Sequence, residues 1–331
     1  MEQNQTQTKN QSPQSPKSKN PKATVLFSGG LDSRLAVKVL QDQNVDVETL
    51  FFELPFAGGC CADTSCTINF SEQEKIKHNI ENVMSGPLFH EYLEIIKNPK
   101  HGRGTNMNPC KDCRIFIFSK AKKIAEKNNS DFIATGEVLN QRPMSQKEND
   151  LKLIEEESNL KGKLLRPLSA KFLEETDAEE QGLIDRNLLP VINGRQRKTQ
   201  QELAKKYNIT YPNPGGGCLL CEDNYSDKLQ DLFNHKPIIE ITPQEILTLN
   251  IGRHFRSKTN KSKIILGKDQ LENRNLELLN KKMNWNISIP MKAGPTVIFE
   301  NKEDKQLAEE LINAYSIKDL KLREKFKDIQ I

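Results

Sequence analysis

One short stretch constrains this chain more than any other. Ala23-Thr24-Val25-Leu26-Phe27 is an apolar run of strand length. Ser28-Gly29-Gly30-Leu31-Asp32-Ser33 follows at once, and then Arg34–Leu40, whose apolar residues recur at helical spacing. A strand, a two-glycine turn and a helix in that order aim free backbone N–H groups and the positive end of the helix dipole at whatever the turn holds. The glycines let the backbone adopt conformations closed to other residues and approach a ligand closely. Phosphate is the natural guest, and Ser28 and Ser33 add hydroxyl donors. Asp32 would repel phosphate unless Mg²⁺ lay between them, so the string points to a metal–nucleotide complex. The same turn could be a plain strand-to-helix connection capped by Ser or Asp. The full six-residue string in this context favours the nucleotide. No G-x-x-x-x-G-K-[ST] occurs, which excludes a Walker-type hydrolase.

The pattern continues beyond this unit. Val45–Phe52 reads as a second strand, about 71–84 as a polar helix, and Leu88–Ile95 as a third strand. Residues 111–127 carry Ile115, Phe116, Phe118, Ala121 and Ile124 at helical spacing, and Asp131–Thr135 is a fourth strand ending in Gly136. Another helix is expected at 195–207. Strands alternating with helices predict an α/β, Rossmann-like parallel sheet covered on both faces. A break falls near 224–240. Beyond it, Arg253–Arg256, Lys263–Gly267, a helix at about 269–282, Thr296–Glu300 and a helix at about 303–315 form a smaller α/β unit. The expected organisation is a disordered tail over 1–22, a nucleotide domain over 23–225 and a small domain over 238–331. The tail is rich in Gln, Asn, Ser, Lys and Pro and lacks apolar periodicity.

Lys and Arg number 49 against 45 Asp and Glu. Any affinity for nucleic acid must therefore come from local patches rather than from net charge. Two patches stand out. Gly194-Arg195-Gln196-Arg197-Lys198 sits at a helix start, where Arg195 and Arg197 could meet phosphate. In Gly252-Arg253-His254-Phe255-Arg256, Arg253 and Arg256 flank an aromatic residue, a pattern suited to an RNA backbone. A solvated face would look the same. The five histidines form neither H-E-x-x-H nor a catalytic triad. No apolar run reaches about 18 residues and the N-terminus lacks a secretory core, so the expectation is a cytoplasmic protein without a membrane span.

The cysteines carry the remaining chemistry. Cys110 and Cys113 open the 111–127 helix after Asn108-Pro109, where the helix end, Lys111 and Arg114 should lower a thiol's pKa. Cys218 and Cys221 lie in Pro214-Gly215-Gly216-Gly217-Cys218-Leu219-Leu220-Cys221, a loop expected to leave Cys218 accessible. The spacing C-x₂-C…C-x₂-C admits a structural zinc site on four thiols, an iron–sulfur cluster on three, or a reactive pair carrying sulfur. Cys221 could equally be a small apolar residue. Cys60, Cys61 and Cys66 crowd a loop after the second strand and are not counted as catalytic.

Taken together, these strings resemble a known group. Ser28–Ser33 after the first strand is similar to the PP-loop of the ATP pyrophosphatases, which split ATP into AMP and pyrophosphate while adenylating a carbonyl oxygen. Asn108–Cys113 and Gly217–Leu220 look like the two catalytic-cysteine segments of tRNA 2-thiouridylases. Ala134-Thr135-Gly136-Glu137, Gln141-Arg142-Pro143-Met144-Ser145 and Arg166-Pro167-Leu168-Ser169 look like later stretches of a thiouridylase-like branch. The likeness covers about 23–225. It implies a HUP-type sheet, ATP with Mg²⁺ held by Ser28, Gly29, Gly30, Leu31, Asp32, Ser33 and Gly136, and catalysis by Asp32, Cys113 and Cys218. It also implies tRNA and a sulfur donor as partners. A C-x-x-C plus a distant third cysteine is similar to cluster-dependent tRNA thiolation enzymes. That likeness implies a [4Fe–4S] cluster on Cys110, Cys113 and Cys218, with zinc as the alternative. Lys263–Lys268 resembles the small RNA-binding-type domain of NFACT proteins. The reading is an ATP-dependent tRNA uridine sulfurtransferase. Its rivals are an adenylating enzyme of another substrate and a zinc-containing RNA-binding protein.

Overall fold

The computed structural model describes residues 20–58, 64–213, 217–316 and 320–331. Most of the tail expected over 1–22, and both Cys60 and Cys61, lie outside the described residues. The first body opens with β1 (Lys22–Leu26), α1 (Leu31–Gln41), β2 (Asp46–Glu53), α2 (Ser65–Gln73), β3 (Lys77–Asn82), α3 (Gly86–Lys97), α4 (Cys110–Lys127) and β4 (Phe132–Thr135). It continues through α5 (Glu148–Glu157), β5 (Leu164–Leu165), α6 (Asp177–Glu180) and α7 (Lys198–Lys206). Its five strands run in the order β3-β2-β1-β4-β5, all parallel. β1 lies at the centre and shows why the sheet is covered twice. Ala23 and Val25 enter one core with Leu35, Val39 and Phe70, while Leu26 enters the other with Phe89, Tyr92 and Phe118.

Two predicted elements exchange character. The stretch read as a third strand at Leu88–Ile95 is helix α3, and the third strand lies inside the stretch read as a helix. Phe89, Tyr92, Leu93 and Ile96 are all essentially fully buried, on the i, i+3, i+4, i+7 stripe of a helix with Pro87 in its first turn. β3 is Lys-His-Asn-Ile-Glu-Asn, an edge strand with no buried residue, so its sequence carries no apolar run to reveal it. Cys66 likewise sits in the first turn of α2 rather than in a loop.

Where the sequence breaks pattern near 224–240, the chain forms α8 (Asp223–His235), followed by α9 (Pro243–Thr248). Leu229, Leu232 and Phe233 of α8 join the first body's core. The second sheet follows with β6 (Arg253–Arg256), β7 (Lys263–Leu266), α10 (Gln270–Met283), β8 (Asn286–Ser288), β9 (Val297–Phe299), α11 (Lys305–Ser316) and α12 (Leu320–Glu324). It is antiparallel, in the order β6-β7-β9-β8. Phe255, Ile264 and Phe299 pack with Leu311 of α11, and Ile265 and Ile298 pack with Leu276 of α10.

The C-terminal end of β4 lies hard against the start of α1. A Cβ on Gly136 would stand 2.5 Å from the Asp32 carbonyl carbon and from the Ser33 backbone nitrogen. Neither backbone atom can give way. Gly136→Ala should therefore destabilise the fold by about 1–3 kcal/mol or more, the usual cost of overpacking, measured by urea unfolding. A cost near zero would mean that β4 and the loop are free to separate.

Candidate nucleotide and thiol site

The chain leaves β1 for β2 on one side, and β4 pairs on the other. The loops after β1 and β4 therefore diverge around a crevice at the carboxyl ends of the strands, the usual ligand position in such sheets. Ser28–Ser33 fills that place. Gly29 has φ +75° and backs onto α2, where a Cβ would meet Cys66 Sγ and Thr67 Cγ2 at 2.9 Å. Gly30 occupies the N-cap of α1 without a side-chain cap. Ser33 Oγ donates to the Gly30 carbonyl at 2.9 Å, and Ser28 Oγ lies 3.4 Å from Ser33 Oγ.

A residue missed by the sequence reading fixes this loop. Arg34 is buried and donates from Nε to Gly29 O (2.7 Å), from Nη1 to Thr210 O (2.9 Å) and from Nη2 to Cys66 O (3.1 Å). Its guanidinium also lies 4.8 Å from the centre of the Phe70 ring. The signal was an arginine at the buried edge of the Leu35-Ala36-Val37 run, a position that needs partners for its charge.

Asp32 shows the polarity of the crevice. Its Oδ2 accepts from Gln141 Nε2 at 3.0 Å, while its Oδ1 is buried without a partner. Gln141 Oε1 is also buried and unpartnered, and the Gln200 amide, which lies near enough to Asp32 to help lower its carboxyl, makes no hydrogen bond in good geometry. Burial raises the Asp32 carboxyl above its usual range, although Gln141, Arg197 and Arg142 pull the other way. An orphaned carboxylate oxygen is the donor a hard divalent cation would take, so the residues fit Mg²⁺. Gly136 contributes room: its missing side chain is what lets β4 approach Asp32.

Two cysteine turns meet beside this crevice. Cys110 and Cys113 open α4. Cys218 forms an isolated bridge with Ala57, and Leu219 N donates to Phe56 O at 3.1 Å. Met107 N donates to Leu220 O at 3.1 Å, and Asn106 Nδ2 to Cys221 O at 2.8 Å. The Tyr92 hydroxyl lies 3.1 Å from Cys113 Sγ, and Asn108 Nδ2 lies 3.4 Å from Cys110 Sγ. All four cysteines are free thiols.

The expected lowering of pKa at the helix start is overturned at Cys113. Burial pushes its thiol up, with the charges of Cys110 and Asp112 adding to it. Cys218 is pushed up to about 12 by burial, then by Cys113, Cys221 and Cys110; Cys221 is raised by burial and Cys110. Cys113, Cys218 and Cys221 are each disfavoured as a thiolate, first by burial and then by neighbouring thiols. Such a donor set is soft, and its chemistry suits a thiophilic metal. Among the described residues, no three His, Cys, Asp or Glu side chains stand in metal-binding geometry.

Charged groups connect the two halves. Arg142 acts on both Asp32 and Cys221. Arg114, next to Cys113, lies 3.5 Å from Glu137 Oε1, and Glu137 Oε2 accepts from Arg166 Nε at 3.1 Å. Glu137 follows Gly136, so this buried ion chain links the end of β4 to the cysteine helix. The RNA-contact candidates divide. Arg195 is exposed, but Arg197, at the N-cap of α7, turns its field on Asp32. Arg253 lies 5.0 Å from the Tyr315 ring centre. Arg256 is not the free surface cation expected, because it clamps Asp231 of α8 from Nε at 3.1 Å and lies 3.8 Å from Glu300.

A parallel sheet with a glycine loop at its switch point, next to paired cysteine turns, defines a PP-loop nucleotide domain. Residues 21–210, more than half of the chain, match the family described as tRNA methyl transferase HUP domain, and the chain belongs to that family. Residues 252–325 match the NFACT protein RNA binding domain. A tRNA-specific 2-thiouridylase MnmA of Petrotoga mobilis is 30% identical over 138 residues, 36% of this chain and 36% of that protein, so the match spans about a third of the relative's length. Among solved structures, U34-tRNA thiolase NcsA from Methanococcus maripaludis with its [4Fe-4S] cluster aligns at 15% identity and TM-score 0.34, covering 70% of this chain and 71% of that one. A 4-thiouridine synthetase in complex with RNA and ATP aligns at 19% identity and TM-score 0.36, covering 56% and 50%. Among the described residues, no helix is long and apolar enough to cross a membrane.

Asp32 generates a prediction with a definite sign. Below its ordinary value of 3.8, both folded and unfolded chains carry the proton and Asp32 contributes no difference. As pH rises through the higher folded value, the buried carboxylate costs stability. Asp32→Asn should thus be more stable than wild type by about 0.5–2 kcal/mol at pH 7, with the gain vanishing toward pH 3, while ATP-dependent pyrophosphate release is lost. Urea titrations at the two pH values and a pyrophosphate assay check this. A variant less stable at pH 7 would show that Asp32 is held by partners rather than strained.

Proposed function

We propose that the protein is an ATP-dependent sulfurtransferase that thiolates a uridine of tRNA. The observation that carries the reading is the meeting of the two cysteine turns at the same end of the sheet as the phosphate loop: Met107 N donates to Leu220 O at 3.1 Å, and Leu219 N donates to Phe56 O at 3.1 Å just after β2. An adenylating loop and a sulfur-handling site serve one substrate atom only if they face one chamber. The names of the MnmA relative and the matched NFACT domain support tRNA as the substrate class.

In this reading the N–H groups at the start of α1 would hold the ATP phosphates, and Asp32 would hold the Mg²⁺ that neutralises them. The uridine carbonyl oxygen attacks the α-phosphorus and pyrophosphate leaves, giving an adenylated base. A sulfur nucleophile then attacks the activated carbon, and the C–O bond breaks with AMP as leaving group. Arg142 and Arg197 neutralise charge on the phosphates as it develops. The target base must leave its stack to enter. A [4Fe–4S] cluster on Cys110, Cys113 and Cys218 would supply an open iron to bind the sulfur that a donor delivers. The chain's own part is to hold Cys113 against the apolar core beside Tyr92 while Cys218 stays exposed to an incoming sulfur donor. The Tyr92 hydroxyl, 3.1 Å from the Cys113 sulfur, is placed to share a hydrogen bond with it.

One observation favours a second reading. All four thiols are free, and Asn106 Nδ2 donates to Cys221 O at 2.8 Å, tying the second turn to the segment that leads into Cys110, as expected of a structural four-thiol zinc site.

Anaerobic purification with iron, sulfide and zinc assays separates the two, together with tRNA thiolation read on mercury-affinity gels. Cys110→Ser, Cys113→Ser and Cys218→Ser should each lose the visible absorption and lower thiolation at least about 100-fold, and Cys221→Ser should keep both. One bound zinc that needs all four thiols would establish the structural site. Iron bound without ATP-dependent thiolation of any tRNA would overturn the proposed substrate.

A further inference from the structure

A cleft lies away from the phosphate loop, at the end of the antiparallel sheet beside α8. It encloses about 730 Å³, room for one nucleotide within the usual range of small-molecule sites. Its cations fall into two groups. Arg256 is tied to Asp231 and Glu300, and Lys236 Nζ donates to Glu245 Oε1 at 2.8 Å, so both are spent on the fold. Lys261, at the tip of the β6–β7 turn, and Lys302, just after β9, are exposed and make no ion pair among the described residues. Lys261 stands at φ +58°, a left-handed conformation that a side chain other than Asn or Asp rarely adopts. Two uncommitted ammonium groups on different segments of one cleft make an anion seat.

Amide groups supply the rest. Asn286 Nδ2 donates to the carbonyls of Phe299 (3.3 Å) and Glu300 (3.1 Å), which leaves its Oδ1 as a fixed acceptor. Asn301 Oδ1 accepts from Glu303 N at 3.2 Å, which leaves its Nδ2 as a fixed donor. Both line the cleft. Because Asn286 reaches the carbonyl of Glu300, the residue before Asn301, the two amides line the same wall of the cleft; an acceptor and a donor side by side match the pairing edge of a nucleobase, and every base offers both kinds of group there. An edge engaged in a duplex is unavailable.

We propose that this cleft binds one unpaired nucleotide of a single-stranded RNA segment, with phosphate on Lys261 and Lys302 and the base edge on Asn286 and Asn301. The site reads the presence of a free base rather than its identity. The inference rests on the proposed tRNA substrate and adds a second contact point, separate from the phosphate loop, that recognises a single-stranded part of that RNA. Such a contact would hold the RNA while the target uridine reacts elsewhere.

The test uses the full chain and fluorescence anisotropy with a labelled single-stranded RNA decamer, a duplex of the same sequence, and tRNA. Wild type should prefer the single strand to the duplex. The double variant Lys261→Ala, Lys302→Ala should weaken decamer binding about tenfold near 0.1 M salt and flatten the slope of log K against log salt by about 1.4, at about 0.7 per phosphate contact. Asn301→Asp keeps the bond to Glu303 but removes the donor, and should erase the preference for single strand. Lys281→Ala with Lys282→Ala, exposed on α10 outside the cleft, should change binding less than twofold. Unfolding midpoints matched to wild type exclude misfolding as the cause. Decamer and tRNA binding unchanged in the cleft variants, with wild-type thiolation intact, would overturn this site and leave the proposed function standing. Absence of tRNA thiolation by wild type, with decamer binding still sensitive to the cleft, would do the reverse. Inorganic phosphate competing as well as a mononucleotide would reduce the cleft to an anion seat and overturn base recognition.

Discussion

A parallel sheet has to be buried on both faces, because its strands can be joined only by crossovers that lie across them. In this protein that constraint decides where chemistry can occur. β1 buries Ala23 and Val25 in one core and Leu26 in the other, so neither face is available to a ligand. What remains open is the carboxyl edge, where the loops after β1 and β4 part. The close approach of Gly136 to Asp32 sets how narrow that edge is. Arg34 then fixes the phosphate loop from behind by gathering carbonyls from Gly29, Cys66 and Thr210. Three segments distant in sequence are thereby locked around one turn.

The same edge concentrates unfavourable electrostatics. Asp32 Oδ1 and Gln141 Oε1 are buried without partners, each a cost of about 1–3 kcal/mol in a finished core. Nearby, Cys113, Cys218 and Cys221 are all pushed away from ionisation. A fold selected for stability alone would fill these places with apolar side chains. Orphaned acceptors and clustered neutral thiols are arrangements that a bound cation relieves. Their gathering at the switch point, rather than on the outer helix faces, is what separates a binding site from incidental polarity.

The phosphate loop was legible in the sequence because its signal is local: a strand, six residues and a helix in one continuous run. The cysteine turns were legible as pairs but not as neighbours, since only the docking of Leu219 on Phe56 and of Met107 on Leu220 brings them together. β3 was hidden because an edge strand with no buried residue has no apolar alternation to show. α3 was misread because a run as short as Leu88–Ile95 fits either period, and Pro87 was the overlooked arbiter. Arg256 was misjudged because a sequence lists charges without their partners. Asp231 lies 25 residues away on another element.

That same Asp231 bears on how the two sheets act together. It is placed on α8, whose apolar face belongs to the first body's core. Its carboxyl meets Arg256 of β6 and Lys263 of β7. Burial alone would raise it, but Arg256 and Lys263 outweigh burial and hold it below its usual range. Lys263 is buried and its ammonium is pushed down to about 8, so its charge persists only beside that carboxylate. Lys228, one turn earlier on α8, donates to the carbonyls of Leu249 and Gly252 at the entry to β6. A single helix therefore carries both the apolar contact to the nucleotide domain and the charged contacts to the small sheet. Removing either partner of a buried pair leaves an uncompensated charge, typically worth about 3–5 kcal/mol. The small sheet is thus held to α8 by interactions that are costly to break. An RNA gripped at that sheet would reach the phosphate loop along a path set by the fold rather than by a loose linker.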